Sequence, residues 1–145
     1  MKREQAMIDQ IRSFNRFYTD IIGLLDQHFL DSSFSLTEGR VLYEICNMED
    51  CSAKKIRENL VIDEGYLSRI LDTFVKRGLI RKTPSSTDGR LRIIVPTEKG
   101  EREFLKLSDN SNTLISQMVE KLSEIEREDL LKKMYGIRAL LEKTK

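Results

Sequence analysis

The feature that most constrains this chain is a change of pattern in its middle third, from helical periodicity to strands separated by turn residues. Within residues 64–77, apolar side chains recur at three- and four-residue spacing, which is typical of an amphipathic helix. Gly78 then stops the helix, because glycine adopts the left-handed conformation easily. Residues 79–83 and 91–95 have the composition of short strands, and residues 84–89 between them are turn formers. The pattern predicts a helix followed by a long β-hairpin.

Several helices around this hairpin begin with a recognisable capping residue. Ser35 and Glu38 have the spacing of a capping box, in which each side chain accepts a hydrogen bond from the backbone amide of the other residue. Ser52 and Asp63 are predicted caps of the next two helices, and Thr97 caps the helix after the hairpin. The three helices that lie directly before the hairpin are predicted at 36–48, 53–60 and 64–77. A short helix, a turn, an amphipathic helix and a hairpin in this order indicate a winged helix-turn-helix.

Longer helical patterns flank this middle part at residues 3–29, 98–120 and 124–143, and the first and last of them have wide apolar faces. The expected fold class is therefore mainly α with a small β-wing, in a single domain over residues 1–145. Within it, residues 35–103 form the winged helix-turn-helix lobe. Residues 1–34 and 104–145 are assigned to N- and C-terminal dimerisation helices, because a lone winged helix would not cover their apolar faces.

Composition excludes several classes of protein. The chain has 145 residues with only 7 glycines and 2 prolines, which fits one mostly helical domain. It has no apolar run of the roughly 18–20 residues that cross a bilayer, and its N-terminus lacks the apolar segment of a signal peptide. We therefore expect a cytoplasmic protein without a membrane partner, in which both cysteines stay reduced.

Charge is unevenly distributed along the chain, although the net charge is only +1. Residues 53–102 contain 12 basic and 7 acidic side chains and thus carry +5, whereas residues 1–52 carry −4 and residues 103–145 carry 0. A basic segment between acidic and neutral flanks suggests an anion-binding surface, for which nucleic acid is the usual ligand. The alternative is a solvated helical surface with no ligand.

Helix 64–77 is the candidate recognition helix, since a helix in the major groove reads bases from its N-terminal turns. The side chains opposite its apolar face, or beside it, are the candidate DNA contacts. These are Gly65, Tyr66, Ser68, Arg69, Thr73 and Lys76. Arg69 has the two-pronged donor geometry that guanine accepts. The alternatives are that Arg69 pairs with Asp72 or Glu64 and that Tyr66 packs on the next helix.

The hairpin supplies a second group of candidate DNA contacts. Arg90 near its tip has the charge to enter a narrow minor groove, and we expect Asp88 to hold that arginine by a charge-assisted hydrogen bond. Arg92 follows on the second strand. Other cations are candidates for phosphate contacts that do not read sequence: Arg81, Lys82, Lys54, Lys55 and Lys99. Each of them is a solvated surface residue in the alternative interpretation.

Several motifs together resemble the multiple antibiotic resistance regulator (MarR) family of prokaryotic transcription factors. In chain order they are Ser35–Ile45 (second helix), Ile62–Phe74 (recognition helix), Lys76–Arg81 (exit into the wing), Asp88–Arg90 (wing) and Thr97–Gly100 (start of the next helix). The resemblance covers residues 35–104. Pro96 departs from the family, which usually has leucine there, but this position concerns the strand exit and not the DNA-binding face.

This resemblance implies a sequence-specific DNA-binding regulator of transcription, and more narrowly a repressor that a small ligand releases. It also implies a homodimer whose first and last helices intertwine, which agrees with the apolar faces of helices 3–29 and 124–143. Two-fold symmetry then predicts a pseudo-palindromic operator with half-sites about one helical turn apart.

The resemblance further implies a pocket for a small aromatic or anionic effector, between the dimer helices and the DNA-binding lobe. The candidate lining residues are Phe14, Phe17, Tyr18 and His28. Aromatic side chains of this kind are more often core or dimer contacts, which is the alternative interpretation.

Other classes of function remain as alternatives. For a thiol-based redox sensor, we expect Cys46 to be a small core residue and Cys51, in a loop, to be the more reactive thiol. A single histidine and 2 cysteines at this spacing do not suit a metal site, and no enzyme motif or cofactor is expected. A winged-helix module that binds proteins is the remaining alternative, which the basic segment and Arg90 disfavour.

Overall fold

The computed structural model describes residues 1–30 and 32–145, and residues 25–30 by their backbone only. The described chain forms six helices and one antiparallel two-stranded sheet. The helices are α1 (Lys2–Leu30), α2 (Leu36–Asn47), α3 (Ala53–Asn59), α4 (Glu64–Lys76), α5 (Glu98–Val119) and α6 (Glu124–Glu142), and the strands are β1 (Ile80–Pro84) and β2 (Arg92–Pro96). The mainly helical fold with a small β-wing is confirmed. None of the helices in the described part is both long and apolar enough to cross a bilayer.

Helices α2, α3 and α4 begin directly after the capping residues that the sequence predicts. The Ser35 hydroxyl accepts from the backbone N–H of Glu38 at 3.2 Å, and the Glu38 carboxylate accepts from the N–H of Ser35 at 2.9 Å. The side chains of Ser52 and Asp63 each accept from the N–H three residues later, at the start of α3 and α4. Gly78 has a φ of +71° and follows the end of α4. The side chains of Ser35, Ser52 and Asp63 satisfy amide groups that the first turn of a helix leaves without partners.

Both strands begin one residue later than predicted. Leu79, the predicted first strand residue, instead closes the end of α4, because its N–H donates to the carbonyl of Phe74 at 2.9 Å. The carbonyl of Leu79 accepts from the N–H of Thr97, also at 2.9 Å. β1 then pairs with β2 along its whole length, with a proline at the last position of each strand. At a strand end the missing N–H of proline costs little.

The chain divides into two compact units, Met1–Asn110 and Ser111–Lys145. In the first unit, the core lies between α2, α3, α4 and the hairpin. Its buried residues include Val41, Leu42, Ile45, Ile56, Leu67, Ile70, Leu71, Phe74, Leu79, Ile80 and Ile94. The four that belong to α4 occupy one face of that helix, which determines which of its faces points outward.

The start of α5 lies against the turn between α4 and β1. The Thr97 hydroxyl donates to the carbonyl of Gly78 at 2.6 Å and accepts from the N–H of Gly100 at 3.1 Å, which confirms Thr97 as the helix cap. A β-carbon at Gly100 would overlap the carbonyl oxygen of Leu79. The contact between α5 and the base of the hairpin therefore depends on glycine at this position.

The second unit contains the end of α5 and all of α6. Ser123 opens α6 with a capping box to Glu126, a signal that the sequence analysis missed. The guanidinium of Arg127 donates to the backbone carbonyl of Val119 at 3.0 Å and so links the first turn of α6 to the end of α5. No residue of α6 is buried in the single chain.

Candidate nucleic-acid interface

The outward face of α4 carries the candidate recognition residues. Gly65, Tyr66, Ser68, Arg69, Thr73 and Lys76 are all exposed, whereas Leu67, Ile70, Leu71 and Phe74 on the core-facing side of the same helix are buried. The row that points most directly away from the core consists of Gly65, Arg69, Asp72 and Lys76, which follow each other at three- and four-residue spacing. An exposed helical face of this kind is free to contact another macromolecule.

The two acidic side chains on α4 each have a cationic partner from a neighbouring element. Glu64 pairs with Arg57 of α3 at 3.3 Å, and Asp72 pairs with Lys82 of β1 at 3.7 Å. Among the ion pairs of the described residues, Arg69 is the partner of neither acid, so that alternative is wrong. These side chains are between 36% and 79% exposed, and pairs so exposed contribute little stability. Their effect on this face is to offset negative charge that would repel a phosphate backbone.

Arg69 lies beside the ring of Tyr66. The Cζ atom of Arg69 is 5.9 Å from the ring centroid, at the limit of a cation–π contact. Tyr66 remains 38% exposed, so its ring is only partly packed against the protein. Both side chains are therefore accessible from outside, within the first two helical turns after the cap at Asp63.

Two side chains order the tip of the wing through the backbone. The Asp88 carboxylate accepts from the backbone N–H of Arg90 at 3.0 Å. The Ser85 hydroxyl accepts from the N–H groups of Thr87 and Asp88 at 3.2 and 3.3 Å, and the N–H of Ser85 donates to the carbonyl of Leu91 at 2.8 Å. Asp88 thus holds the backbone of Arg90 and not its guanidinium, which corrects the expected charge-assisted contact. The side chain of Arg90 is exposed near the tip.

Three of the predicted phosphate-binding lysines already have a partner within the protein. The ammonium of Lys99 donates to the backbone carbonyl of Arg77 at 2.8 Å, that of Lys55 donates to the carbonyl of Glu49 at 3.4 Å, and Lys82 is paired as described above. The other predicted cations, Arg81, Arg92 and Lys54, are exposed. These cations look alike in the sequence, because no local signal indicates which carbonyl lies nearby in space.

A model of the MarR family matches residues 34–91, which include α2, α3, α4, β1 and the tip of the wing. Over these residues, the chain is similar to the MarR family. The matched part of the chain runs from α2, which carries Val41, to the loop that carries Arg90, and it contains the candidate recognition helix α4.

Similar proteins are found both in sequence and in structure. The HTH-type transcriptional regulator BilQ of Clostridium symbiosum is 27% identical over 95 residues, which span 66% of this chain and 63% of BilQ, less than two thirds of its length. The crystal structure of Streptococcus pneumoniae FabT in complex with DNA has a TM-score of 0.80 at 17% identity and covers 94% of this chain and 99% of FabT. The crystal structure of CouR from Rhodococcus jostii, bound to p-coumaroyl-CoA, has a TM-score of 0.69 at 17% identity and covers 85% of this chain and 87% of CouR. At such identities the structural likeness shows a shared fold.

Three of the four candidate effector-binding residues form an aromatic cluster on α1. The rings of Phe14 and Tyr18 are stacked with their centroids 5.8 Å apart, and the centroid of Phe17 is 6.5 Å from that of Phe14. All three side chains are exposed in the single chain. His28 lies outside the described side chains. The aromatic groups are thus close together, and their role as a ligand site remains a prediction.

The two thiols correct the expectation of a reactive Cys51. Cys51 is only 1% exposed and its backbone carbonyl accepts from the N–H of Ile94 at 2.8 Å, so this loop belongs to the core beside β2. Cys46 is half-buried against the same core. Burial raises the pKa of both thiols to about 11, and the charges of Glu101 near Cys46 and of Glu44 near Cys51 add to this shift. Redox-sensing thiols have a lowered pKa and are accessible, which is the opposite of this arrangement.

We expect both thiols to react slowly with alkylating reagents in the folded protein. With a pKa of about 11, roughly one thiol in a thousand is ionised at about pH 8, and the reaction rate should rise about tenfold per pH unit below the pKa. Labelling with iodoacetamide at several pH values, read by mass spectrometry, measures this rate. The same protein unfolded in urea is the control and should be labelled much faster. Rapid labelling of folded Cys51 at neutral pH would contradict its buried position.

Proposed function

We propose that this protein is a homodimeric transcriptional regulator that binds a specific sequence of double-stranded DNA. The observation that carries the proposal is the two-sided character of α4, which buries one apolar face while its opposite face presents Arg69 and Lys76. The acids on that helix are offset by cations of neighbouring elements. The major groove of B-DNA admits an α-helix of this kind. FabT, which has the same fold, was solved in complex with DNA, and BilQ is a transcriptional regulator.

In this proposal α4 enters the major groove and the wing contacts the adjacent minor groove. Arg69 donates two hydrogen bonds to guanine, and Arg90 enters the minor groove, where the potential is most negative. The pair of Lys82 with Asp72 joins the base of the wing to α4, which supports contact by both elements at once. The other proposed site residues are Gly65, Tyr66, Ser68, Thr73, Lys76, Arg81, Asp88 and Arg92, with Asp88 ordering the wing tip.

The proposed partner in the dimer is a second copy of this chain, bound through residues 1–34 and 104–145. The helices in these terminal parts leave large apolar side chains exposed in the single chain. They include Met7, Ile11, Phe17 and Leu24 on α1 and Leu131, Met134, Ile137 and Leu141 on α6. Apolar surface of this extent marks an interaction site. A two-fold dimer would then place two copies of α4 on a pseudo-palindromic operator.

The proposal includes control by a small aromatic or anionic ligand, whose binding releases a repressor from its operator. Support comes from the cluster of Phe14, Phe17 and Tyr18 on α1 and from CouR, which shares the fold and was solved with p-coumaroyl-CoA bound. A regulator of this kind acts in the cytoplasm, where the DNA is, and catalyses no reaction.

The test is selection of binding sequences from random duplex DNA at two salt concentrations, followed by sequencing. Enrichment of a palindrome, with affinity that falls steeply as salt rises, is the expected result, because phosphate contacts release counterions. Binding that depends on salt without an enriched sequence would contradict sequence-specific recognition. Absence of binding at both salt concentrations would favour the winged-helix module that binds proteins.

Replacement of Arg69 or Arg90, the two arginines that are proposed to contact the DNA grooves, should weaken operator binding and change its selectivity. We expect Arg69→Ala to cost about 1–3 kcal/mol and to relax the preference at one major-groove position. We expect Arg90→Ala to cost about 1–3 kcal/mol and to change the preference for a narrow minor groove.

The matched control for both is Arg102→Ala, which removes the same charge from α5, where Arg102 lies 3.5 Å from Glu98 and outside the proposed DNA contacts and dimer segments. Fluorescence anisotropy with the selected duplex and with single-base variants gives the affinities. An affinity and selectivity of Arg69→Ala or Arg90→Ala equal to those of Arg102→Ala would exclude that arginine from the proposed base contacts.

A further inference from the structure

Arg77 follows directly after the last residue of α4, and its side chain contacts the segment before α2. Its Nη2 atom donates to the hydroxyl of Ser33 at 2.7 Å, and its Nη1 atom donates to the backbone carbonyl of Ser33 at 3.2 Å. Its Cζ atom lies 4.3 Å from the ring centroid of Phe34, a close cation–π contact. The guanidinium therefore has partners on two of its nitrogens and on its flat face.

Phe34 connects the same segment to the buried face of α4. Its side chain is only 3% exposed, and its ring lies edge-on to Phe74, with centroids 6.0 Å apart and an interplanar angle of 77°. The guanidinium of Arg77 covers the Phe34 ring from another side. Residues 33 and 34 are thus packed against α4 from both its core side and its C-terminal end.

The backbone of Arg77 joins a third element to this contact. Its N–H donates to the carbonyl of Thr73 within α4 at 2.9 Å, and its carbonyl accepts from the ammonium of Lys99 in α5 at 2.8 Å. These contacts occupy two of the five N–H donors of the guanidinium and one of its flat faces, so the side chain is already held within the protein. Lys76, the preceding residue, belongs instead to the outward row of α4.

We propose that Arg77 is a positioning residue for the DNA-binding surface and does not contact phosphate. It fixes the C-terminal end of α4 relative to the junction between α1 and α2, so that the outward row of α4 is presented at the correct angle. This inference rests on the proposed function, because it assigns a role within the same DNA-binding surface.

The chemistry of arginine separates this role from a phosphate contact. Lysine keeps the positive charge but lacks the planar fork that donates to two acceptors while stacking on a ring. A residue that only neutralises phosphate should tolerate Arg77→Lys. A residue that positions α4 through Ser33 and Phe34 should not.

The experiment compares Arg77→Lys and Arg77→Gln with wild type, using the duplex obtained by selection and a series of salt concentrations. We expect both variants to bind about tenfold more weakly, which corresponds to about 1.4 kcal/mol, with the slope of log affinity against log salt unchanged. Ser33→Ala should give part of this loss, and adding it to Arg77→Lys should cause little further loss, because both act on one contact. Wild-type affinity of Arg77→Lys, or a salt slope of Arg77→Gln smaller by about 0.9, would identify a phosphate contact and overturn the proposal.

Amide hydrogen exchange on the free protein tests the structural contact without DNA. Arg77→Lys should speed exchange at Phe34 and in the last turn of α4 by about tenfold, while the amides of α6 keep their wild-type rates. Unchanged exchange at Phe34 would overturn the positioning role. If wild type binds no duplex, the proposed function fails, and the exchange rates still decide whether Arg77 links the two segments.

Discussion

Gly100→Ala is expected to lower the free energy of unfolding by about 3 kcal/mol, the upper part of the range for inserting a carbon into a closely packed site. The added β-carbon would overlap the carbonyl oxygen of Leu79 and lie 3.0 Å from its carbonyl carbon. Those neighbours are backbone atoms that are also held by the N–H of Thr97, so they cannot rotate away as a side chain would. Relief requires the start of α5 to move away from the hairpin.

Urea denaturation followed by circular dichroism measures this loss. Gly89→Ala is the matched control, because a β-carbon at Gly89 in the wing tip has no neighbour within 4 Å. We expect that control to change stability by no more than about 0.5 kcal/mol. Equal stabilities of the two variants would show that α5 does not approach Leu79 as closely as described.

Ile137→Glu is expected to separate the proposed dimer and to weaken operator binding by about a hundredfold or more, since linked binding of two half-sites supplies this much affinity. Ile137 is 43% exposed in the single chain and shares one stripe of α6 with three other apolar residues at three- and four-residue spacing. The stripe consists of Leu130, Met134, Ile137 and Leu141. A carboxylate inserted into an apolar dimer contact would be buried without a partner, which is strongly unfavourable.

Ala139→Glu provides the matched control for this variant. It introduces the same side chain into the same helix, two residues and therefore more than half a turn away from Ile137. Analytical ultracentrifugation should find a monomer for Ile137→Glu and a dimer for Ala139→Glu. A dimer in both cases would exclude this stripe of α6 from the dimer contact, and a monomer in both would point to the opposite face as well.

The parts of the fold that the sequence predicted correctly are those determined by neighbours in the chain. The capping box of Ser35 and Glu38 and the left-handed Gly78 involve residues within one turn of each other, so the pattern alone contains them. The periodicity of α4 also predicted its outward face. The one-residue shift of both strands arises because Leu79 donates back to Phe74, a choice between two local hydrogen bonds that composition does not decide.

The features that the sequence could not predict depend on contacts between distant residues. The expected reactivity of Cys51 was wrong because β2 returns to pack beside that loop, where Ile94 donates to its carbonyl. Arg77 belongs to the basic segment 53–102 and no local signal indicates its partner, because Ser33 lies 44 residues away in the chain. Lys99 similarly finds a carbonyl 22 residues away. Such contacts determine which cationic side chains are free to bind DNA in the proposed function, and they depend on the folded structure and not on the local sequence.

Two sets of residues have different roles at the tip of the wing, and this affects how the proposed regulator can change over evolution. Ser85 and Asp88 bind backbone amides and so maintain the shape of the loop, whereas the side chain of Arg90 takes no part in that framework. Residue 90 can therefore be exchanged without refolding the loop that presents it. In the proposed function, a duplicated copy of the gene could acquire a different minor-groove preference by one codon change, while keeping its stability and the proposed dimer and major-groove contacts.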